Sequence, residues 1–171
     1  MDKKWILIII ILIVGCFLMY NIVDSSTTVG NAITVVNKSV VTLPDGFSIG
    51  ESEKNSVELL DEKTGEKIYV TDLGKTNSAE EEYSEALQSL EYDPYISIIN
   101  NSTSKINNIN TYTITLENHT VNTTNVCLAY IYSSNHTFSI EFQNYSDNNR
   151  LNDDLNFIVS TISPDFKQSQ D

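Results

Sequence analysis

Two histidines, two cysteines and seven Asn-x-Ser/Thr tripeptides are the chemically expressive residues of this 171-residue chain. His119 and His136 would have to meet to share a metal ion. Each follows a strand-like stretch, and consecutive antiparallel connections fall at opposite ends of a sheet. Across a strand of seven residues that is ~20 Å, whereas ligation needs nitrogen–metal distances of ~2 Å. Ser-His-Asp catalysis needs a base held against a nucleophile, and no Gly-x-Ser-x-Gly elbow is present. Cys127 lies in an apolar stretch and reads as a small core residue. The six glycines are spread too thinly to cradle a phosphate, and no acidic loop has EF-hand spacing. Glu80-Glu81-Glu82 and Asp153-Asp154 read as complements to the positive ends of helix dipoles. The expectation is a chain that is not an enzyme, with no catalytic, cofactor-binding or metal-ligating residue and no cofactor.

The recurring motif is the N-glycosylation acceptor, at Asn37, Asn100, Asn101, Asn118, Asn122, Asn135 and Asn144. A composition rich in Asn, Ser and Thr produces some of these by chance. Most fall in predicted loops, where glycans must sit, and they have chemical meaning only if the domain lies outside the cytoplasm.

The segment that would deliver it there is the N-terminus. Residues 5–23, from Trp5 to Val23, carry no charge. As a helix, residues 6–23 span about 27 Å, close to the hydrocarbon thickness of a bilayer. Trp5 and Tyr20 stand near the two ends, where interfacial aromatics are favoured. Lys3 and Lys4 precede the span and Asp24 follows it, so the positive-inside rule keeps the N-terminus cytoplasmic and sends the rest out. Ile13-Val14-Gly15-Cys16 also resembles a lipoprotein signal, with Cys16 the lipidation candidate. Against that, Phe17 to Tyr20 prolong the apolar run. Both routes tether the domain to the outer face of a cell membrane.

Net charge is −13 over the whole chain and about −14 beyond Val23. Such a surface repels phosphate backbones, which excludes nucleic-acid binding. Cys16 and Cys127 are placed too differently to pair, so the outer domain is held by its core alone. An outside domain without disulfides suits a prokaryotic or archaeal cell.

The elements that position these residues follow from periodicity. Residues 32–36 and 39–43 are rich in β-branched residues. Pro44-Asp45-Gly46 is a turn, and Phe47 to Ile49 reads as the strand returning from it. Val57 to Leu60 and Ile68 to Val70 flank a polar connection, a hairpin signal. Ala79, Tyr83, Ala86, Leu87 and Leu90 form one helical stripe, opened by a Ser78–Glu81 capping box and closed by Pro94. Four strands follow, at 95–99, 111–116, 126–132 and 137–143. The second and fourth alternate apolar with polar residues. The third is apolar on both faces and so central. Residues 105–110 carry a bend. Leu151, Leu155, Ile158 and Ile162 mark a last helix, ended by Pro164. The predicted class is α+β, an antiparallel sheet with helices packed on its faces, preceded by one transmembrane helix. The organisation is 1–4 cytoplasmic N-terminus, 5–23 transmembrane helix, 24–31 flexible linker, 32–166 extracytoplasmic domain and 167–171 polar tail.

This order resembles the PsbP-like family, including its small membrane-anchored archaeal members. The resemblance lies in Val41-Thr42-Leu43-Pro44-Asp45-Gly46-Phe47-Ser48-Ile49, in Ile109-Asn110-Thr111-Tyr112, in Thr137-Phe138-Ser139-Ile140 and in the helix ending Ile158-Val159-Ser160. It implies an α/β/α sandwich and a non-catalytic binding or accessory role, and it transfers no site residue. The partners expected are the bilayer, through residues 5–23, and another envelope protein, because many tyrosines suit wet interfaces. The alternative is a pilin-like structural subunit, which also joins an apolar helix to a β-rich head. It is disfavoured here because no Gly or Ala cleavage point precedes the apolar run and no Glu lies just inside it.

Overall fold

The computed structural model describes residues 33–36, 39–75, 77–120, 124–133 and 135–164. The predicted transmembrane helix, Cys16, the linker, Asn37, Asn122 and the polar tail lie outside them. Among the described residues no helix is long and apolar enough to cross a membrane.

The described residues form ten strands and two helices in the order β1 (Ile33–Val36), β2 (Ser39–Thr42), β3 (Ser48–Ser52), β4 (Ser56–Leu60), β5 (Lys67–Gly74), α1 (Ala79–Glu91), β6 (Ile96–Ile106), β7 (Ile109–Asn118), β8 (Thr124–Ser133), β9 (His136–Gln143), α2 (Asn148–Thr161) and β10 (Ser163–Pro164). Seven of the strands form one antiparallel sheet in the order β3-β4-β5-β9-β8-β7-β6. The other three form a small sheet, β1-β2-β10. Pro44-Asp45-Gly46 does not fold Phe47 to Ile49 back onto β2, as the turn suggested. Phe47 is buried in the core, and the chain crosses there from the small sheet to the edge of the large one.

Strand alternation sorts the side chains into two layers. Cys127, Ala129 and Ile131 of β8 join Phe138, Ile140 and Phe142 of β9 against Leu155, Ile158 and Val159 of α2. On the opposite face, Ile114 and Leu116 of β7 and Val126 and Tyr130 of β8 pack with Ala79, Tyr83, Leu87 and Leu90 of α1. β8 is apolar on both sides because it has a helix layer on each, as its sequence predicted. The result is an α/β/α sandwich.

Local chemistry sets the helix limits. At α1 the capping box is complete: Ser78 Oγ accepts from Glu81 N at 3.2 Å, and Ser78 N donates to Glu81 Oε2 at 2.8 Å. The hydrogen bond from the Ser78 backbone holds the Glu81 carboxyl below its usual range. Ser78→Ala is expected to destabilise the domain by about 1 kcal/mol, read as a lower urea midpoint at unchanged slope. α2 begins at Asn148 on the N-cap Asp147, whose Oδ1 accepts from Asn149 N at 2.8 Å. Asp153 and Asp154 therefore sit mid-helix and do not complement its N-terminus.

The strand predicted at 95–99 runs on to Ile106. Its register with β7 slips between Ile98 and Asn100. Before the slip, Ile96 and Ile98 pack toward α1. After it, residues of the same parity turn over, and Ile106 packs with the α2 layer. A bulge has this effect because the side-chain period is two. The hairpin is closed by Asn107 and Asn108, with φ of 48° and 67°, the paired left-handed conformation that a two-residue turn requires.

Candidate functional site

The described residues contain no group of three or more His, Cys, Asp or Glu able to hold a metal ion. β8 runs between the connections that carry the two histidines, so His119 and His136 lie at opposite ends of the sheet. His119 Nε2 is 3.2 Å from Ser97 Oγ and 3.7 Å from Glu117 Oε2. His136 Nδ1 lies 2.7 Å from Oδ2 of Asp72, a carboxylate only 3 % exposed. Asp72 Oδ1 also accepts from Gly74 N at 2.7 Å, where the β5–β9 register shifts. The pair thus fastens an irregular seam between two central strands. Cys127 is buried, and burial pushes its thiol up to about 11, which suits a core residue and not a nucleophile.

A cluster of charged groups around one arginine escaped the sequence reading. Arg150, the chain's one arginine, projects from the first turn of α2. Its Nη2 donates to Asp61 Oδ2 at 2.6 Å, its Nη1 lies 2.9 Å from Glu66 Oε2, and its Nε lies 3.8 Å from Asp154 Oδ2. The guanidinium also stands over the Phe47 ring, 5.7 Å from its centroid. Asp61 and Glu66 are the two ends of the β4–β5 connection, and Asp61 Oδ1 accepts from Lys63 N at 2.9 Å. Gly46, with φ +89°, passes so close to Asp61 that a Cβ there would meet Oδ2 at 3.2 Å. One cation therefore ties the crossing turn, the hairpin loop and α2 together. Its hydrogen bond holds the Asp61 carboxyl below its usual range, while burial raises that of Asp154. Tyr145, whose hydroxyl donates to Asp154 Oδ2 at 2.8 Å, is pushed up by burial. The signal available in sequence was the solitary Arg in an acidic chain.

Two adjoining hollows of ≈ 200 and ≈ 330 Å³ run between α2 and the β6–β8 side of the sheet. Ile99, Leu151 and Leu155 give them an apolar lining, with Asn100, Thr115 and Asn148 at the polar positions. A third, of ≈ 450 Å³, lies on the α1 side between Ser78, Glu80, Lys105, Asn108, Tyr112 and Tyr132. The three linings offer amides, hydroxyls, tyrosine rings and aliphatic surface, with Glu80 and Lys105 on the α1 side and Glu117 and Cys127 on the α2 side. In the connection from α1 to β6, Tyr92 and Tyr95 are 80 % and 58 % exposed; Ile99, 56 % exposed, faces the α2 side.

Five sequon asparagines are described. Asn100 and Asn101 lie within β6 and Asn118 ends β7, so these three are in strands and not in loops. Asn135 and Asn144 are in turns with φ of 66° and 63°.

No protein-family model and no curated sequence matches the chain. Solved structures do. The cyanobacterial PsbP protein CyanoP of Synechocystis sp. PCC 6803 superposes with a TM-score of 0.52 at 14% identity, over 82% of this chain and 97% of that one. This chain has a PsbP-like fold. A protein from Bacteroides thetaiotaomicron superposes with a TM-score of 0.58 at 11% identity, over 81% of this chain and 49% of that one. This chain therefore spans about half the length of the Bacteroides protein. At these identities the likeness is one of architecture: a long antiparallel sheet with a helix layer on each face.

Proposed function

We propose that this protein is a membrane-anchored, extracytoplasmic PsbP-like module that binds another envelope protein and performs no chemistry itself. Residues 5–23 hold it in the bilayer, the linker 24–31 spaces the domain from the surface, and sequons on the domain accept N-linked glycans. The observation that carries the binding role is the exposure of Tyr92 and Tyr95 in the connection from α1 to β6. Tyrosines place a large apolar body and a polar tip at the surface at low entropic cost, which is why they concentrate at interfaces. The PsbP-like fold and the amide- and hydroxyl-lined hollows support the same reading.

The test is photo-crosslinking in native membranes from position 92 or 95 of the full chain. A discrete crosslinked partner is expected, and Tyr92→Ser with Tyr95→Ser should weaken its recovery at least tenfold, since central aromatic anchors typically contribute about 2 kcal/mol or more each. Full-length chain recovered free in the cytosol would sink the proposal.

A further inference from the structure

The two edges of the large sheet are protected unequally. β3 is five residues long, irregular between Ile49 and Ser52, and carries Glu51. Short length, distortion and charge each discourage another strand from adding. β6 is eleven residues long, and residues 96–104 carry no charge. Among the described residues no strand pairs with its outer side. From Asn100 to Ile106 its register with β7 is unbroken. Its outward backbone N–H and C=O groups therefore form a regular row, a template for a second copy of the same strand.

At the centre of this edge stands Asn100-Asn101-Ser102-Thr103, two overlapping sequons with all four residues exposed. Asn100 sits beside Thr115 and lines the hollow under α2, whereas Asn101 pairs with Ile114 and takes the opposite face. Ser102 Oγ lies 2.8 Å from Thr113 Oγ1, which ties the acceptor segment to β7. Beyond the slip at Ile98–Asn100 and before Lys105, the segment from Asn100 to Ser104 has neither the charge nor the distortion that guards β3, and a bulky, hydrated sugar would do the same work there.

We propose that β6 carries an N-linked glycan, on Asn100 or Asn101, that caps the open edge and keeps copies of the protein from pairing along it. The inference rests on the extracytoplasmic reading above. In the transfer, the asparagine Nδ2 bonds to the anomeric carbon of a lipid-phosphate-linked oligosaccharide. The bond from that carbon to the phosphate oxygen breaks, the phosphate leaves with the electron pair, and Nδ2 gives up a proton.

Full-length chain from native membranes tests this by mass spectrometry of the peptide containing residues 96–105, combined with chemical crosslinking. Measurements belong at about 0.15 M salt, where exposed charges more than about 8 Å apart are screened. The wild-type peptide should carry one glycan and the chain should crosslink as a monomer. Ser102→Ala with Thr103→Ala keeps both asparagines but removes both acceptors. It should dimerise through β6 with at least a tenfold rise in crosslinked dimer, at unchanged circular dichroism. Adding Asn101→Lys to that variant, a charge in place of the sugar, should restore the monomer. A bare 96–105 peptide beside glycosylated Asn118 or Asn144 overturns this inference alone. Bare peptides at every sequon overturn the glycoprotein reading as well. A glycosylated wild type whose acceptor-free variant stays monomeric overturns the capping role.

Discussion

Arg150→Ala is expected to lower the unfolding free energy by about 2–4 kcal/mol. The substitution leaves the carboxylates of Asp61 and Glu66, 5 % and 4 % exposed, without their cation. The loss stays short of the roughly 5 kcal/mol that a fully buried pair can cost, because the guanidinium is itself 31 % exposed and water can enter the space it vacates. Arg150→Lys should cost about 1–2 kcal/mol, since one ammonium cannot span two carboxylates and lie flat on Phe47. Urea denaturation of the two variants would measure both. An Arg150→Ala protein as stable as wild type would remove this residue from its place as the fastener of three segments.

The same cluster sets an acid limit. The folded Asp61 carboxyl titrates below its ordinary value of 3.8, so its contribution is fully present above that value. The contribution is lost as pH falls through the folded pKa. Asp154 is raised by burial and works in the opposite sense, gaining its proton first in the folded state. Stability should therefore be nearly flat on mild acidification and then fall steeply below about pH 4. In Arg150→Ala the steep part should be shallower, because Asp61 has lost the largest cause of its lowered pKa and keeps only the backbone hydrogen bonds from Lys63 and Thr64. Denaturation midpoints across pH 3 to 6 distinguish the two profiles.

Phe142→Ala is expected to cost about 3–5 kcal/mol. Phe142 is completely buried on β9, paired laterally with Ile68 of β5 and Cys127 of β8. The Tyr145 ring meets its edge, with centroids 5.6 Å apart. Both flanking strands are hydrogen-bonded in place, so the cavity cannot close by collapse, and the loss should lie near the top of the range. Phe142→Leu keeps most of the volume and should cost about 1.5 kcal/mol. Thermal unfolding would rank the pair. Equal losses would mean that the ring's shape, and not its volume, holds the layer together.

Much of this architecture is written locally. The alternation of 111–116 and 137–143, the two-faced apolarity of 126–132, and the stripe and capping box at Ser78 each need only neighbouring residues to be read, and each forms as its pattern requires. What escaped was set by distant partners. Asn100 to Ser104 have poor strand propensity and look like loop, yet they are strand because β7 offers a full ladder beside them. The bulge at Ile98–Asn100 shows in no periodicity count. Arg150 meets Asp61 across 89 positions, and Asp72 meets His136 across 64. Such long-range charge pairs become visible only once the topology is known. The solvent-facing corner at Tyr92 and Tyr95 was anticipated only as an abundance of tyrosine, because composition does not say which rings the fold leaves outside.

β2 lies between the first strand of the domain and the last, with Ile33 paired to Thr42 on one side and Pro164 to Ser39 on the other. A pull on either end is thus delivered first to three short strands. Tension at residue 33 unzips β1 from β2 one pair at a time, starting at Thr42. Val36 and Val41 of the small sheet are themselves completely buried in the α2-side core, so once the zipper has run to its end the load reaches the body of the domain.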